Sequence, residues 1–291
     1  MEQSNITNII IDSINTIVNN LLSSIDNNLY SILDDLAFIN SDILQDKNLE
    51  NIFGTSTSNG LLLISNSLLL GIIIYFSLRY LLSHITYTKI ESPSQFIFKL
   101  IIFGICMNFS YFLISYFLDL ICNISLAIRS VGENIYNQNI CFSELINIIN
   151  NNIYINTTST DIFSFDGITK GILSLSLLNL VLSYSFRYIM IKLFVLLSPF
   201  AILSLSLEST SWFFKSWIKN LFSLLFIQII ISLDLLILFS VDYSSNNIFN
   251  KFIYIGGLYA LIKANSFVRE FVGSISTTIS QNVNNFMNLK R

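Results

Sequence analysis

The chain has 291 residues, of which 53% are hydrophobic and only 11% charged, with a net charge of −3. A soluble domain carries about 25% charge, so this composition, with a mean hydropathy of +0.66, excludes an ordinary soluble domain. The slightly negative balance gives no reason to expect a nucleic-acid binder, which needs Lys and Arg for phosphate contacts.

Residues 1–60 are polar and acidic. Within them Ile10, Ile14, Ile17, Leu21, Ile25, Leu29, Ile32 and Leu36 recur at three- and four-residue steps, which predicts one face of an amphipathic helix. Asp12, Asn19, Ser23, Asp26 and Asn27 fall opposite. Helices that lie on anionic lipid usually carry Lys and Arg on the polar face, so packing against protein is the better expectation. The chain's own outer loop, another subunit and a lipid surface remain the three alternatives. The opening MEQSNITNIIIDS lacks the basic region and compact apolar core of a cleaved signal peptide, so insertion through the chain's own spans is expected.

Apolar segments follow at 61–82, 96–121, 171–207, 222–241 and 252–267. A hydrocarbon core about 30 Å thick needs roughly twenty helical residues. Backbone groups in lipid must be satisfied within their own segment, which makes these spans helices. A β-barrel would instead show roughly ten-residue alternating segments. The fold class expected is all-α: a polytopic helical membrane protein with about five transmembrane helices and an N-terminal amphipathic helix outside.

The segment 171–207 is too long for one vertical crossing and carries Arg187, Lys192 and Pro199. The preferred reading is one crossing over 171–191, with the rest a bent or interfacial helix turning near Ser198-Pro199. The rival is two tight spans. Loop charge sets orientation. The acidic start and the Asn-rich, acidic stretch 123–169 read as outside, whereas Arg79, Lys89, Lys99, Lys215, Lys219, Lys263, Arg269, Lys290 and Arg291 mark inside segments. The organisation is then an extracytoplasmic arm (1–60), two spans (61–122), an extracytoplasmic loop (123–169), the C-terminal spans (170–272) and a cytoplasmic tail (273–291).

No enzyme constellation is visible. The single histidine, His84, sits at a membrane edge, and Cys106, Cys122 and Cys141 match no zinc spacing. There is no phosphate-cradling Gly-rich loop and no nucleophile elbow. The sequence thus predicts a non-enzyme with no cofactor and no metal.

The informative charges are Arg187 and Lys192, with Asp119 and Asp234 as candidate partners. Ionisable residues within spans are costly and usually face protein interior or water. Either the four line a polar seam along a translocation path, or Arg187 and Lys192 snorkel to the interface while Asp234 is paired structurally. Gly256, Ala260 and Ala264 lie four residues apart, a spacing that permits close helix packing. Trp212 and Trp217 flank Lys215 and Lys219, an aromatic-basic pattern typical of a membrane interface. Pro199 is the expected kink.

The stretch RYIMIKLFVLLSPFAILSLSLESTSWFFKSWIKNLFSLLFIQIIISLDLLILFS resembles the TrbL, or VirB-six, family of type IV secretion and conjugation machines. The shared pattern is an Arg-bearing apolar helix (Arg187) ending in Pro199-Phe200-Ala201, then Trp212, Trp217 and Lys219, then an apolar helix beginning close to Gln228. The closing segment, Gly256-Gly257-Leu258-Tyr259-Ala260 through Ala264-Asn265 to Arg269-Glu270, looks like the last span of Firmicute-type members. The specific resemblance covers roughly the C-terminal third; elsewhere only the architecture is similar.

The resemblance implies a non-enzymatic channel or scaffold subunit in the bacterial cytoplasmic membrane. Such a subunit would be a homo-oligomer in the lipid bilayer, beneath a pilus or stalk-type subunit and beside ATPases, in transient contact with transferred DNA or protein. The competing class is a small-molecule transporter or permease. Transporters often show internal repeats, and none is visible here.

Overall fold

The computed structural model describes residues 13, 16, 32–54, 59–86, 92–154, 165–241 and 248–272. Among them there is helix and no strand. The α-helices with assigned bounds are α1 (Lys47–Phe53), α2 (Leu61–Thr86), α3 (Pro93–Asn108), α4 (Ser110–Tyr136), α5 (Phe142–Tyr154), α6 (Phe165–Leu196), α7 (Ser198–Leu203), α8 (Ser211–Phe239) and α9 (Ile248–Val272). Four stretches are long and apolar enough to cross a bilayer: Leu61–Ile85, Ser110–Tyr136, Gly171–Leu196 and Glu208–Phe239. Pro93–Asn108 and Phe252–Ala264 are shorter apolar helices. The protein is an all-α membrane protein.

The second apolar segment, 96–121, is not one helix. It is broken at Phe109, where α3 ends and α4 begins. The helix that starts there continues to Tyr136, well into the stretch read as loop, and α5 occupies much of the remainder. Ile124, Leu126 and Val131 keep α4 apolar past Asn123, so hydropathy averaged over the segment misplaces both of its ends. The long third segment holds one continuous helix, α6, to Leu196, with no tight turn inside it. The chain turns at Ser198, whose hydroxyl donates to the Val195 carbonyl (2.7 Å). Pro199 then opens the short α7, where its missing N–H costs nothing.

α4, α6, α8 and α9 form a bundle. α4 and α8 run side by side in parallel: Phe117 stacks on Phe222, and the Ser125 and Ser232 hydroxyls meet farther along. α6 is antiparallel to α8, with Trp217 Nε1 donating to the Phe194 carbonyl at one end (2.9 Å) and Arg187 meeting Gln228 midway. α9 packs on both α8 and α6. Its close approach is at Gly257, where an added Cβ would lie 2.1 Å from Leu238 Cδ2.

The α2–α3 hairpin lies largely outside the bundle, touching it at Leu62 and at Phe214 of α8. It holds itself with Phe76 stacked on Phe96 and the amides of Asn66 and Asn108 (3.3 Å). It meets the rest at α7, where Met107 packs with Ile202 and Leu203.

The predicted amphipathic face at Ile10, Ile14, Ile17, Leu21, Ile25 and Leu29 lies outside the described residues. Its end, 32–37, is helical. There Leu33 and Ala37 are buried, Ile32 is exposed, and Leu36 is partly buried on the same core. This end packs on the chain's own α5 through Phe142 and Leu145. Asp34 caps α5, accepting from the Phe142 N–H (2.7 Å), the Ser143 N–H (3.1 Å) and the Ser143 hydroxyl. A carboxylate at a helix N-terminus satisfies orphan donors and faces the positive end of the dipole.

Candidate functional site

Residues 38–54 form a strap laid lengthwise on the bundle, and the charges singled out in the sequence hold it there. Arg187 is fully buried. Its Nη1 and Nη2 both donate to the Ala37 carbonyl at 3.2 Å, and Nη2 also donates to Gln228 Oε1 at 3.3 Å. The Ile39 N–H donates to the same Gln228 oxygen at 3.1 Å. Ala37 ends the helical turn at 32–37, so its carbonyl has no helical partner of its own. A guanidinium offers several donors in a fixed fork and suits such a carbonyl better than an ammonium would.

This layer divides two hydrophobic cores. On one side lie Leu33, Ala37, Leu180, Tyr184, Ile231, Leu235 and Leu258. On the other lie Ile39, Leu44, Phe53, Tyr111, Leu118, Ile191 and Leu225. Arg187 and Gln228 are the polar pair between them. Arg187 Nε, Gln228 Nε2 and the Tyr184 hydroxyl have no hydrogen-bond partner among the described residues.

The strap is pinned at intervals on both sides of that layer, at Phe38 on the side of the first core and at the remaining points on the side of the second. Arg129 lies over the Phe38 ring, with Cζ 4.0 Å from its centroid. The Ser41 N–H donates to Asp119 Oδ1 (3.2 Å). The Tyr111 hydroxyl donates to the Leu44 carbonyl. Lys192 Nζ pairs with Asp46 Oδ2 (3.2 Å). Ile39, Ile43, Leu44, Leu49 and Phe53 face the bundle and are buried. Asp46 also caps α1 by accepting from the Asn48 N–H.

The four candidate seam residues therefore do not pair with one another. Arg187 binds the Ala37 carbonyl at which the strap begins, and Lys192 and Asp119 bind the strap itself at a carboxylate and a backbone N–H. Asp234 stands apart on α8, half-buried, and makes no contact with the other three among the described residues. Gly256 has open space where a Cβ would point, and Ala260 is exposed, while Ala264 is buried. The helix contact made within the chain falls on the neighbouring face at Gly257. Trp212, Lys215 and Lys219 are exposed together. Trp217 is buried and acts as a pin between α8 and α6. Sequence reasoning did not single out the Ala37 carbonyl or Tyr111. It noted Gln228 only as the start of a helix, although a Gln inside an apolar run is a signal for a buried partner.

The chain matches no protein-family model, no curated protein and no solved structure.

Proposed function

We propose that this chain is a channel or scaffold subunit of a type IV secretion or conjugation machine, acting in the bacterial cytoplasmic membrane on transferred DNA or protein. The supporting observation is that the residues carrying the TrbL resemblance act as one unit. Arg187 bonds Gln228, Trp217 bonds the end of α6, and Pro199 opens the turn that joins them. These contacts set the α6–α8 pair and the depth of the strap, so the resembling positions are joints of one assembly.

In this reading the end of the bundle bearing residues 32–37 and the α4–α5 connection faces outside. The end bearing Lys215 and Lys219 faces the cytoplasm, as those two lysines favour. α9, antiparallel to α8, then brings the C-terminus inside. Both ends of the α2–α3 hairpin, at Leu62 and Met107, lie near that same cytoplasmic end of the bundle, so the hairpin does not change the sidedness of the helices after it; this reading departs from the expectation that residues 1–60 lie wholly outside. The partners are further copies of the chain, the secretion ATPases and a pilus or stalk-type subunit.

The test is deletion of the gene in its host with complementation. Transfer of DNA or protein to recipient cells should be lost and then restored by the wild-type gene, with solute uptake unchanged. Intact transfer together with loss of uptake of a solute would overturn the proposal in favour of a permease.

A further inference from the structure

We propose that residues 38–54 form the water-facing wall of a hydrated path at membrane depth, so that the strap side of the bundle borders water and its other sides border lipid. Phe38 sits at Arg129 and Leu44 at Tyr111. The part of α4 between those two positions is about 27 Å long at a rise of roughly 1.5 Å per residue, close to the ~30 Å hydrocarbon core. It lies within the stretch Ser110–Tyr136, which is long and apolar enough to cross. The six steps of the strap from Phe38 to Leu44 reach at most about 20 Å, so they lie within that length of α4 and at the depth of its crossing.

The strap cannot face lipid. Its backbone is a 3-10 turn at Ser41–Leu44, extended residues and the short α1, and irregular backbone at membrane depth is tolerated only in protein or beside water. Its inner face is buried in the cores. Its outer face carries Asp42, Gln45, Asp46, Lys47 and Asn48, all exposed. Asp42 is held by two amides, Asn40 Nδ2 at 2.7 Å and Gln45 Nε2 at 2.8 Å. That arrangement leaves a charged carboxylate at the surface, where hydrocarbon would impose a large cost. The remaining surface of the bundle has the opposite chemistry: Tyr116, Leu120, Leu182 and Ile189 are exposed and carry no charge.

This inference rests on α4 crossing a bilayer and not on the secretion role, so loss of one leaves the other standing. The test uses the full chain with Cys106, Cys122 and Cys141 replaced by Ser, reconstituted in phosphatidylethanolamine–phosphatidylglycerol vesicles. Single cysteines are placed by Gln45→Cys, Asn48→Cys, Leu120→Cys and Leu182→Cys. A charged, impermeant thiosulfonate is supplied on both sides, and labelling in denaturing detergent gives the total thiol. Cysteines at 45 and 48 should label to completion while those at 120 and 182 stay unlabelled. The cationic reagent should also outpace its anionic counterpart at 45 and 48, because the wall is acidic. Protection at 45 and 48 would overturn the proposal by showing lipid or protein over the strap. Equal labelling at all four would overturn it by placing the bundle outside the bilayer.

Discussion

The α2–α3 hairpin and the four-helix bundle are built from similarly apolar sequence, yet they bury it very differently. Of α2's apolar stretch 11% is buried within the chain, against 56% for α8. The hairpin has one small core around Phe76, Phe96 and Leu100; elsewhere Leu70, Ile74, Leu81, Ile97 and Phe98 point outward. The bundle has two large cores and a polar layer between them. Apolarity alone therefore separates protein from water but does not decide which helices pack together. In lipid there is little hydrophobic drive for one helix to prefer another, and packing follows close fit and polar contacts. The bundle has both, at Gly257 and at Arg187, whereas the hairpin has a ring stack and one pair of amides.

The comparison breaks most sharply at Arg187. Arg187→Leu leaves the Ala37 carbonyl without its donor in a buried layer and should cost about 2–4 kcal/mol. It should lower the thermal midpoint in detergent and release the strap to proteolysis after Lys47. Arg187→Lys, with one ammonium in place of the fork, should fall between Leu and wild type. Unchanged proteolysis in the Leu variant would remove the strap-anchoring role.

Next is the pair of adjacent glycines in α9. Gly257→Ala drives a methyl into Leu238 and should destabilise by about 1–3 kcal/mol. Gly256→Ala meets nothing and should be neutral or stabilise by up to about 1 kcal/mol, the helix-propensity gain. Unfolding curves should show a loss of stability in the Gly257 variant alone, and a reversed order would place the contact on the wrong face.

For the hairpin, Phe96→Ala removes the stack with Phe76 and empties the centre of its one small core. Amide exchange should rise in α2 and α3 while α8 keeps its protection. Loss of protection in α8 would mean that the two regions unfold as one.

The smallest effect concerns Cys141, between α4 and α5. Burial pushes its thiol above the ordinary value of 9.0. Maleimide reacts with the thiolate, so labelling near pH 8 should be slower than for a free thiol and should keep accelerating as pH rises past 9.0. A rate that levels off below that pH would show an ordinary exposed thiol.

Much of the fold could be read from the sequence. Long Leu, Ile and Phe runs predicted α2, α6, α9 and the later part of α8, and Ser198-Pro199 predicted the turn after α6; the aromatic-basic stretch 212–219 reads as a membrane interface and is instead the start of α8, which runs unbroken past Gln228. The joint at Phe109 could not be read, because neither Pro nor Gly marks it and the sequence is apolar on both sides. Gly256, Ala260 and Ala264 share a stripe, and the close contact made within the chain lies one residue on, at Gly257, about 100° around the helix. Arg187, Lys192 and Asp119 stood out correctly as charges needing an explanation. Their partners did not, since two of the three are backbone groups at Ala37 and Ser41, and every residue offers a carbonyl. The strap itself is polar on one side and irregular, so its composition reads as a loop, and only its buried face shows that it is part of the core.

The strap also sets an order of events during synthesis. Ala37 is made early, but Arg187 follows 150 residues later, and Gln228 follows Ile39 by 189. At about 5–20 residues per second the ribosome needs roughly ten to forty seconds to supply that last partner. Over that interval residues 38–54 exist with their docking groove unmade. Their acidic outer side keeps them from dissolving in lipid, so they can wait near water until α6 and α8 arrive and close beneath them.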